Sequence, residues 1–165
     1  MTRIALLSDI HDNIWRLETA LRQVAESAAD ALLFAGDFCA PFVLTQLAEG
    51  FSGPIHCVLG NNDGDGRLLE KLATHQEHLT LHGIYAEVTL GDCRAALIHY
   101  PAPALRIAQA GQFALVCYGH DHRQYAERVG AGWLVNPGEV MGRFGAPTWA
   151  LYDSVAQTVQ HMAID

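Results

Sequence analysis

The apolar residues of the first third form short continuous runs separated by stretches with helical spacing. Three runs have strand length, at residues 4–7, 31–35 and 55–59. Between them, Ile14 to Glu26 carries apolar residues on one helical face, and Pro41 opens a second helical stretch, as proline suits a first helical turn. A third helical stretch lies around 68–73, followed by a loose, histidine-bearing segment at 75–83. This β-α-β-α-β order predicts a parallel sheet with helices packed on it.

The second half of the chain is richer in strands than in helices. Residues 84–90 and 94–98, joined by a Gly91-Asp92 turn, predict a hairpin, and a short helix is expected before Gly111. Further strand-like segments follow at 113–117, 124–129, 132–136, 148–153 and 158–164. No internal repeat or linker interrupts this order, so the sequence predicts a single α/β domain over residues 1–165.

Composition narrows the class of protein. The length of 165 residues suits one domain, and 50% hydrophobic with 17% charged residues is typical of a folded chain. Ten Lys and Arg against 18 Asp and Glu give a net charge of −8, so we expect no extended nucleic-acid surface.

The four cysteines form no C-x-x-C pair, which favours small buried thiols in a reducing compartment. No signal peptide or membrane-spanning run of ~20 residues is visible, so a cytoplasmic protein without membrane contact is expected.

Side chains of the types that bind metals follow five of the apolar runs. They are Asp9 with His11, Asp37, Asn61, His99, and His120 with His122. In open α/β sheets, sites form at the carboxyl ends of strands, so we expect these side chains to meet at one edge. Each piece alone has an ordinary explanation, such as a helix cap, a strand-exit turn or a buried core histidine. Their repeated position after apolar runs favours a metal site.

The motifs SDIHDN, GDF, GNND, IHY, GHDH and NPGEV extend over nearly the whole chain. They resemble those of the calcineurin-like metallophosphoesterase superfamily, and of its small single-domain phosphodiesterase branch in bacteria and archaea. The resemblance implies a four-layer α/β/β/α sandwich of two mixed β-sheets flanked by helices, with a dinuclear metal site at one sheet edge. It assigns one ion to Asp9, His11, Asp37 and His122, and the other to Asp37, Asn61, His99 and His120, with Asp37 as the bridge.

This resemblance implies two divalent metal ions as cofactors. Carboxylate and amide oxygens mixed with imidazoles suit Mn²⁺ first, with Ni²⁺, Fe²⁺ or Fe³⁺, Zn²⁺ and Mg²⁺ as alternatives. The expected activity is hydrolysis of small phosphodiesters by a metal-bridging hydroxide, which the ions generate by lowering the pKa of water to ~7. Phosphomonoesterase or dinucleotide pyrophosphohydrolase activity, and a scaffold that binds protein partners, stay as alternatives. Members of this branch commonly self-associate and exposed strand edges invite pairing, so a homodimer or homotetramer is expected.

Asn62 and Asp63 are the candidate catalytic residues. Asn62 stands where many members carry a histidine that stabilises the transition state or protonates the leaving oxygen. Asparagine donates a hydrogen bond but no proton near pH 7, so we predict a preference for good leaving groups. Asp63 and Asn13 also match the motifs, and would either orient ligand imidazoles or make cap and turn hydrogen bonds.

Three other positions depart from the superfamily pattern. Tyr100 and Pro101 replace the usual residues after the motif histidine, which affects the shape of the substrate pocket. Glu139 replaces a serine in the NPGE loop, and we interpret that loop as structural.

Overall fold

Two β-sheets pack face to face in the computed structural model, which describes residues 2–165. In chain order the elements are β1 (Arg3–Leu7), α1 (Ile14–Glu26), β2 (Ala31–Phe34), α2 (Pro41–Gly50), β3 (Ile55–Cys57), α3 (Gly66–Ala73), β4 (Leu79–Leu81), β5 (Tyr85–Leu90), β6 (Cys93–Ile98), α4 (Pro101–Gln109), β7 (Leu115–Cys117), β8 (Gln124–Val129), β9 (Gly132–Pro137), β10 (Thr148–Asp153) and β11 (Thr158–Ala163).

Both sheets mix parallel and antiparallel strands. The first has the order β11-β10-β1-β2-β3-β4, in which β1 to β4 are parallel and the β10–β11 hairpin is added antiparallel. The second has the order β5-β6-β7-β9-β8, in which β6, β7 and β9 are parallel. Helical crossovers join the parallel strands of the first sheet, as the β-α-β pattern predicts.

Three apolar layers separate the four layers of structure. Alternation along β1 shows how they form, because successive side chains of a strand point to opposite faces. Ala5 and Leu7 belong to the layer beneath α1 to α3, whereas Ile4 and Leu6 belong to the layer between the sheets. A third layer, which includes Ala104 and Val116, lies between the second sheet and α4. The molecule is therefore an α/β/β/α sandwich of two mixed sheets, as expected.

The predicted and observed elements differ at β4. Residues 75–83 were expected to be loose, but Leu79–Leu81 forms a parallel strand beside β3, with Ile55 paired to Leu79. This strand has only two apolar residues, so its pairing, not its local pattern, defines it. All four cysteines are free. Within residues 2–165, no helix is long and apolar enough to cross a membrane.

Candidate metal centre

The seven candidate ligands lie on the loops that leave β1, β2, β3, β6 and β7 at their carboxyl ends. β1 and β2 are parallel neighbours, so Asp9 and Asp37 leave the first sheet side by side. The main-chain N–H of Ile10 donates to the carbonyl oxygen of Asp37 at 3.1 Å, which joins these two loops. In the second sheet, the N–H of Gly119 donates to the carbonyl oxygen of His99 at 3.0 Å. The expected meeting of strand ends is therefore observed across both sheets.

One group of ligand atoms forms around Asp9. Its Oδ1 lies 3.5 Å from His122 Nε2 and 3.7 Å from His11 Nε2. The two imidazole rings stack with their centroids 5.0 Å apart. One ligand atom from each of these three residues lies within 4.8 Å of the others, which is close enough for all three to hold one cation.

A second group forms around Asp37. Its Oδ2 lies 3.4 Å from His11 Nε2 and 3.5 Å from His99 Nε2. Asn61 Oδ1 lies 3.0 Å from His99 Nε2 and 2.8 Å from His120 Nδ1. The Asp37 oxygen is thus in reach of a histidine from each group, and the structure brings all seven candidate ligands together.

The polar atoms in this cluster fit a divalent cation. His11 Nε2 is buried and has no hydrogen-bond partner among residues 2–165, although it faces the carboxylates of Asp9 and Asp37. A buried nitrogen without a partner is costly, and a cation between it and the carboxylates would remove that cost. Carboxylate, amide and imidazole donors are also the ligand types that divalent transition ions accept.

Burial, hydrogen bonds and neighbouring charges shift the pKa values of several side chains in and beside the cluster. The Asp9 carboxylate, followed by that of Asp37, raises the pKa of His11 although burial opposes the shift. Burial also disfavours ionisation of Asp37, but hydrogen bonds from His99 and Asn62 outweigh it and bring the pKa of Asp37 well below its ordinary value. Burial and neighbouring carboxylates raise the pKa of Cys39 to about 12, so this thiol stays protonated near the cluster.

Hydrogen-bond partners orient three of the four histidines through their Nδ1 atoms. The pairs are His99 with the carbonyl oxygen of Ala35 (2.7 Å), His122 with the Glu139 carboxylate (2.8 Å) and His11 with the Cys39 sulfur (3.4 Å). A partner at Nδ1 leaves Nε2 for a metal, and such partners are typical of ligand histidines. His120 differs, because the partner of its Nδ1 is Asn61, which is itself a candidate ligand.

Left-handed backbone conformations are concentrated among the candidate ligands. Positive φ angles occur at Asp9 (55°), His11 (45°), Asp37 (65°), His120 (77°) and His122 (57°). Non-glycine residues adopt such angles at a cost of order 1 kcal/mol or more, and these conformations are enriched at functional sites. The loops are therefore shaped to aim side chains rather than to minimise local energy.

The two candidate catalytic residues hold the Asp37 loop in place. Asn62 donates from Nδ2 to Asp37 Oδ2 and from its main-chain N–H to Oδ1, both at 2.8 Å. Asp63 accepts the main-chain N–H groups of Gly60 (2.6 Å), Cys39 (3.0 Å) and Asp37 (3.2 Å). Burial raises the pKa of Asp63, and these three hydrogen bonds offset part of that shift.

Asn13 has a corresponding structural role. Its Oδ1 accepts the N–H of Arg16 at 3.2 Å and caps α1, and its Nδ2 donates to the carbonyl oxygen of Met141 at 2.9 Å. The hydrogen bonds of Asn13 and Asp63 go to the main chain rather than to ligand imidazoles. Of the two roles predicted for these residues, the structure favours cap and turn hydrogen bonding.

Glu139 is the site residue that the sequence interpretation missed. The sequence pattern makes the NPGE loop structural, whereas the Glu139 carboxylate is fully buried and bonded to His122. A signal for this contact was available in the β8–β9 hairpin. Its register pairs Gln124 with Pro137, and continuing that register by two residues places His122 opposite Glu139.

Aromatic and basic side chains border the centre. Tyr100 packs edge-on against His99 and His120, with ring centroids 5.2 Å and 5.1 Å away. Beside His122, a cleft of about 450 Å³ is also lined by Asp121, Arg123 and Phe144. The replacement of the usual residue by Tyr100 thus adds a wall next to two ligands.

Comparison with known proteins identifies the family. The calcineurin-like phosphoesterase superfamily domain matches residues 2–157. The chain belongs to the calcineurin-like phosphoesterase superfamily. It is 25% identical over 166 residues to a phosphodiesterase of Methanocaldococcus jannaschii, covering 99% of both chains. The family and this relative make the chain a metal-dependent phosphoester hydrolase.

Solved structures of similar proteins agree with the fold. An archaeal phosphodiesterase superposes with a TM-score of 0.89 and 25% identity over 98% of this chain and 99% of its own. A phosphoesterase of E. coli has a TM-score of 0.68 and 21% identity over 99% and 100% of the two chains. The Vps29 protein of Entamoeba histolytica, solved with Zn²⁺, has a TM-score of 0.67 and 17% identity over 99% of both chains. The last two share the fold alone.

Proposed function

We propose that this phosphoesterase is a phosphodiesterase that acts on small phosphodiesters at a centre of two divalent ions, with Mn²⁺ as the first candidate. The position of Asp37 carries the proposal. Its Oδ2 lies 3.4 Å from His11 Nε2, on the first sheet, and 3.5 Å from His99 Nε2, on the second. An oxygen between two groups of ligands is suited to bridge two ions. The phosphodiesterase relatives support the choice of a diester substrate.

The ligands divide into two sets that share Asp37. Asp9, His11 and His122 would complete one set, and Asn61, His99 and His120 the other. Two divalent ions held by these residues would supply Lewis acidity toward the phosphate oxygens and would lower the pKa of a bound water. The cleft beside His122 carries one basic and one acidic side chain, Arg123 and Asp121.

Asn62 limits the leaving groups that this site accepts. Its side chain is committed to the Asp37 carboxylate, and an amide has no proton to give to a departing oxygen. General acid catalysis is typically worth ~10²–10⁴ in rate, so alkoxide leaving groups should be expelled slowly. Aryl esters, which need little protonation, are the favoured substrates.

The test is hydrolysis of bis-p-nitrophenyl phosphate together with elemental analysis of the same protein. Mn²⁺ should support activity, a chelator should abolish it, and Asp37→Ala should lose most of both ions because both sets of ligands share this residue. Asp92→Ala is a matched control, because Asp92 is exposed and hydrogen-bonds Thr2 and Ser154 instead. It should keep both metal and activity.

Four outcomes would contradict the proposal. A protein that binds no metal after Mn²⁺ loading, or that keeps its activity in chelator, has no such centre. Faster turnover of alkyl monoesters than of activated diesters would favour a phosphomonoesterase. Full metal occupancy without turnover of any phosphoester would favour a protein-binding scaffold.

We also propose that the chain self-associates through a sheet edge. β8 lies at the edge of the second sheet, and its residues from Gln124 to Arg128 are exposed. Such an edge offers unpaired main-chain groups to another strand. Light scattering should give the mass of a dimer or tetramer, and a mass near 18.0 kDa at micromolar concentration would contradict this.

A further inference from the structure

Glu139 is a buried carboxylate in which both oxygens have hydrogen-bond donors. Its exposed fraction is 0%. Oε1 accepts the main-chain N–H groups of Phe144 at 2.6 Å and Gly145 at 2.7 Å. Oε2 lies 2.8 Å from Nδ1 of His122. A carboxylate is tolerated in such a place only when it is paired in this way.

These contacts determine where the neutral His122 ring carries its proton. Main-chain N–H groups can only donate, so Oε1 has to be an acceptor, and Oε2 of an ionised carboxylate is an acceptor as well. His122 must therefore carry the proton on Nδ1. In this tautomer Nε2 has a free lone pair, and Nε2 is the atom that lies 3.5 Å from Asp9 Oδ1 in the cluster.

We propose that Glu139 is a positioning residue that fixes His122 in the Nδ1–H tautomer and so presents Nε2 to a divalent ion. This inference rests on the function proposed above. Through its other oxygen, Glu139 also holds the loop that follows it. Phe144 on that loop meets His122 edge-on, with ring centroids 5.0 Å apart and an interplanar angle of 82°. One carboxylate therefore aligns a metal ligand and the aromatic wall of the cleft.

Glu139→Gln is the variant that separates tautomer control from packing. The two main-chain N–H groups require the amide oxygen at the position of Oε1, which places the amide NH₂ against Nδ1 of His122. The amide NH₂ and an Nδ1–H group would then be two donors that face each other. The neutral imidazole therefore carries its proton on Nε2 instead, and Nε2 has no lone pair left for a metal. Glu139→Ala loses the acceptor but does not oppose the ligating tautomer. We therefore expect the Gln variant to fold more stably than the Ala variant, yet to bind Mn²⁺ no more tightly.

Two measurements test this expectation. Long-range ¹H–¹⁵N NMR of the metal-free proteins at about pH 8.5, above the ordinary imidazole pKa of ~6.5, reports the His122 tautomer, assigned by its absence in His122→Gln. The wild type should be Nδ1–H and Glu139→Gln should be Nε2–H. Calorimetry should show Mn²⁺ affinity reduced by about 10–100-fold in Glu139→Gln, the usual effect of losing an orienting partner.

Two control variants should leave the His122 tautomer unchanged. Phe144→Ala keeps the main-chain N–H, so His122 should stay Nδ1–H. Glu87→Gln changes an exposed glutamate that hydrogen-bonds Tyr85 and Arg94, so it should alter neither the tautomer nor the affinity.

An Nδ1–H tautomer in Glu139→Gln would overturn the inference. So would tighter Mn²⁺ binding by the Gln variant than by the Ala variant, because packing alone predicts that order. The tautomer is measured without metal or substrate, so a lack of diesterase activity would count against the proposed function and not against this role of Glu139.

Discussion

Gly119 allows the loop after β7 to approach the loop after β1, and Gly119→Ala tests whether that approach shapes the centre. A methyl group at this position would lie 2.6 Å from Asp9 Oδ2 and would also overlap the hydroxyl of Ser8. The φ of Gly119 lies outside the left-handed region, so the substitution adds a steric clash without backbone strain.

The two neighbours of the added methyl differ in their freedom to move. The Ser8 hydroxyl has no hydrogen-bond partner within residues 2–165, so moving it breaks no hydrogen bond there. The Asp9 carboxylate accepts the N–H of His120 at 3.1 Å, so its displacement also breaks a hydrogen bond. Overfilling a well-packed site costs ~1–3 kcal/mol, or roughly 5–150-fold in the folding equilibrium. Displacing Asp9 from His11 and His122 should weaken Mn²⁺ binding by about tenfold or more, as loss of ligand orientation does.

Urea denaturation of the metal-free protein and calorimetry with Mn²⁺ measure the two effects. Gly66→Ala is the control, because no atom of the described residues lies within 4 Å of its added methyl; it should be neutral or stabilising by ~0.4–1 kcal/mol. The double variant Ser8→Ala/Gly119→Ala removes the overlap with the hydroxyl, so it should recover stability but not metal affinity. Wild-type stability and Mn²⁺ affinity in Gly119→Ala would refute the reasoning.

Three further predictions concern individual side chains. Asp63→Asn places an amide donor against one of three main-chain N–H groups, so the free energy of unfolding should fall by ~1.5–3 kcal/mol in urea denaturation; an unchanged midpoint would argue against this. Burial lowers the pKa values of His56 and His82, so their neutral forms contribute stability above about pH 6.5 that is lost as the pH falls below it. His82→Gln should therefore lose less stability than the wild type between about pH 7.5 and 5.5, and an equal loss would contradict the assignment. Asn62→His, assayed at saturating Mn²⁺, should narrow the rate ratio between aryl and alkyl leaving groups; an unchanged ratio would mean that residue 62 does not reach the leaving oxygen.

The sequence predicts elements well where the local pattern is strong. α1 begins at Ile14 and ends at Glu26 as predicted, because its buried residues repeat at helical spacing and Asn13 caps it. β4 could not be predicted in the same way. Its residues Leu79–Leu81 become a strand through pairing with β3, which is more than twenty residues earlier in the chain.

The candidate site also combines features that the sequence predicts with features that depend on tertiary contacts. The rule that sites form at strand ends predicted which seven side chains meet, but not which atoms face each other. Asn62 hydrogen-bonds the Asp37 carboxylate, and Asp63 hydrogen-bonds the main chain, because the loops after β2 and β3 lie close together. The contact of Glu139 with His122 depends on the register of a hairpin between them, which a list of motifs does not contain.

The ligands are divided between the two sheets, with Asp9, His11, Asp37 and Asn61 on the first and His99, His120 and His122 on the second. Each sheet therefore carries only part of the set of candidate ligands. A divalent ion held by both would act as a reversible cross-link between the layers, added to the apolar packing and to hydrogen bonds such as that from His99 to Ala35. Metal binding would then increase the rigidity of the sandwich as well as enable its chemistry. The packing of the two sheets and the assembly of the metal centre would stabilise each other.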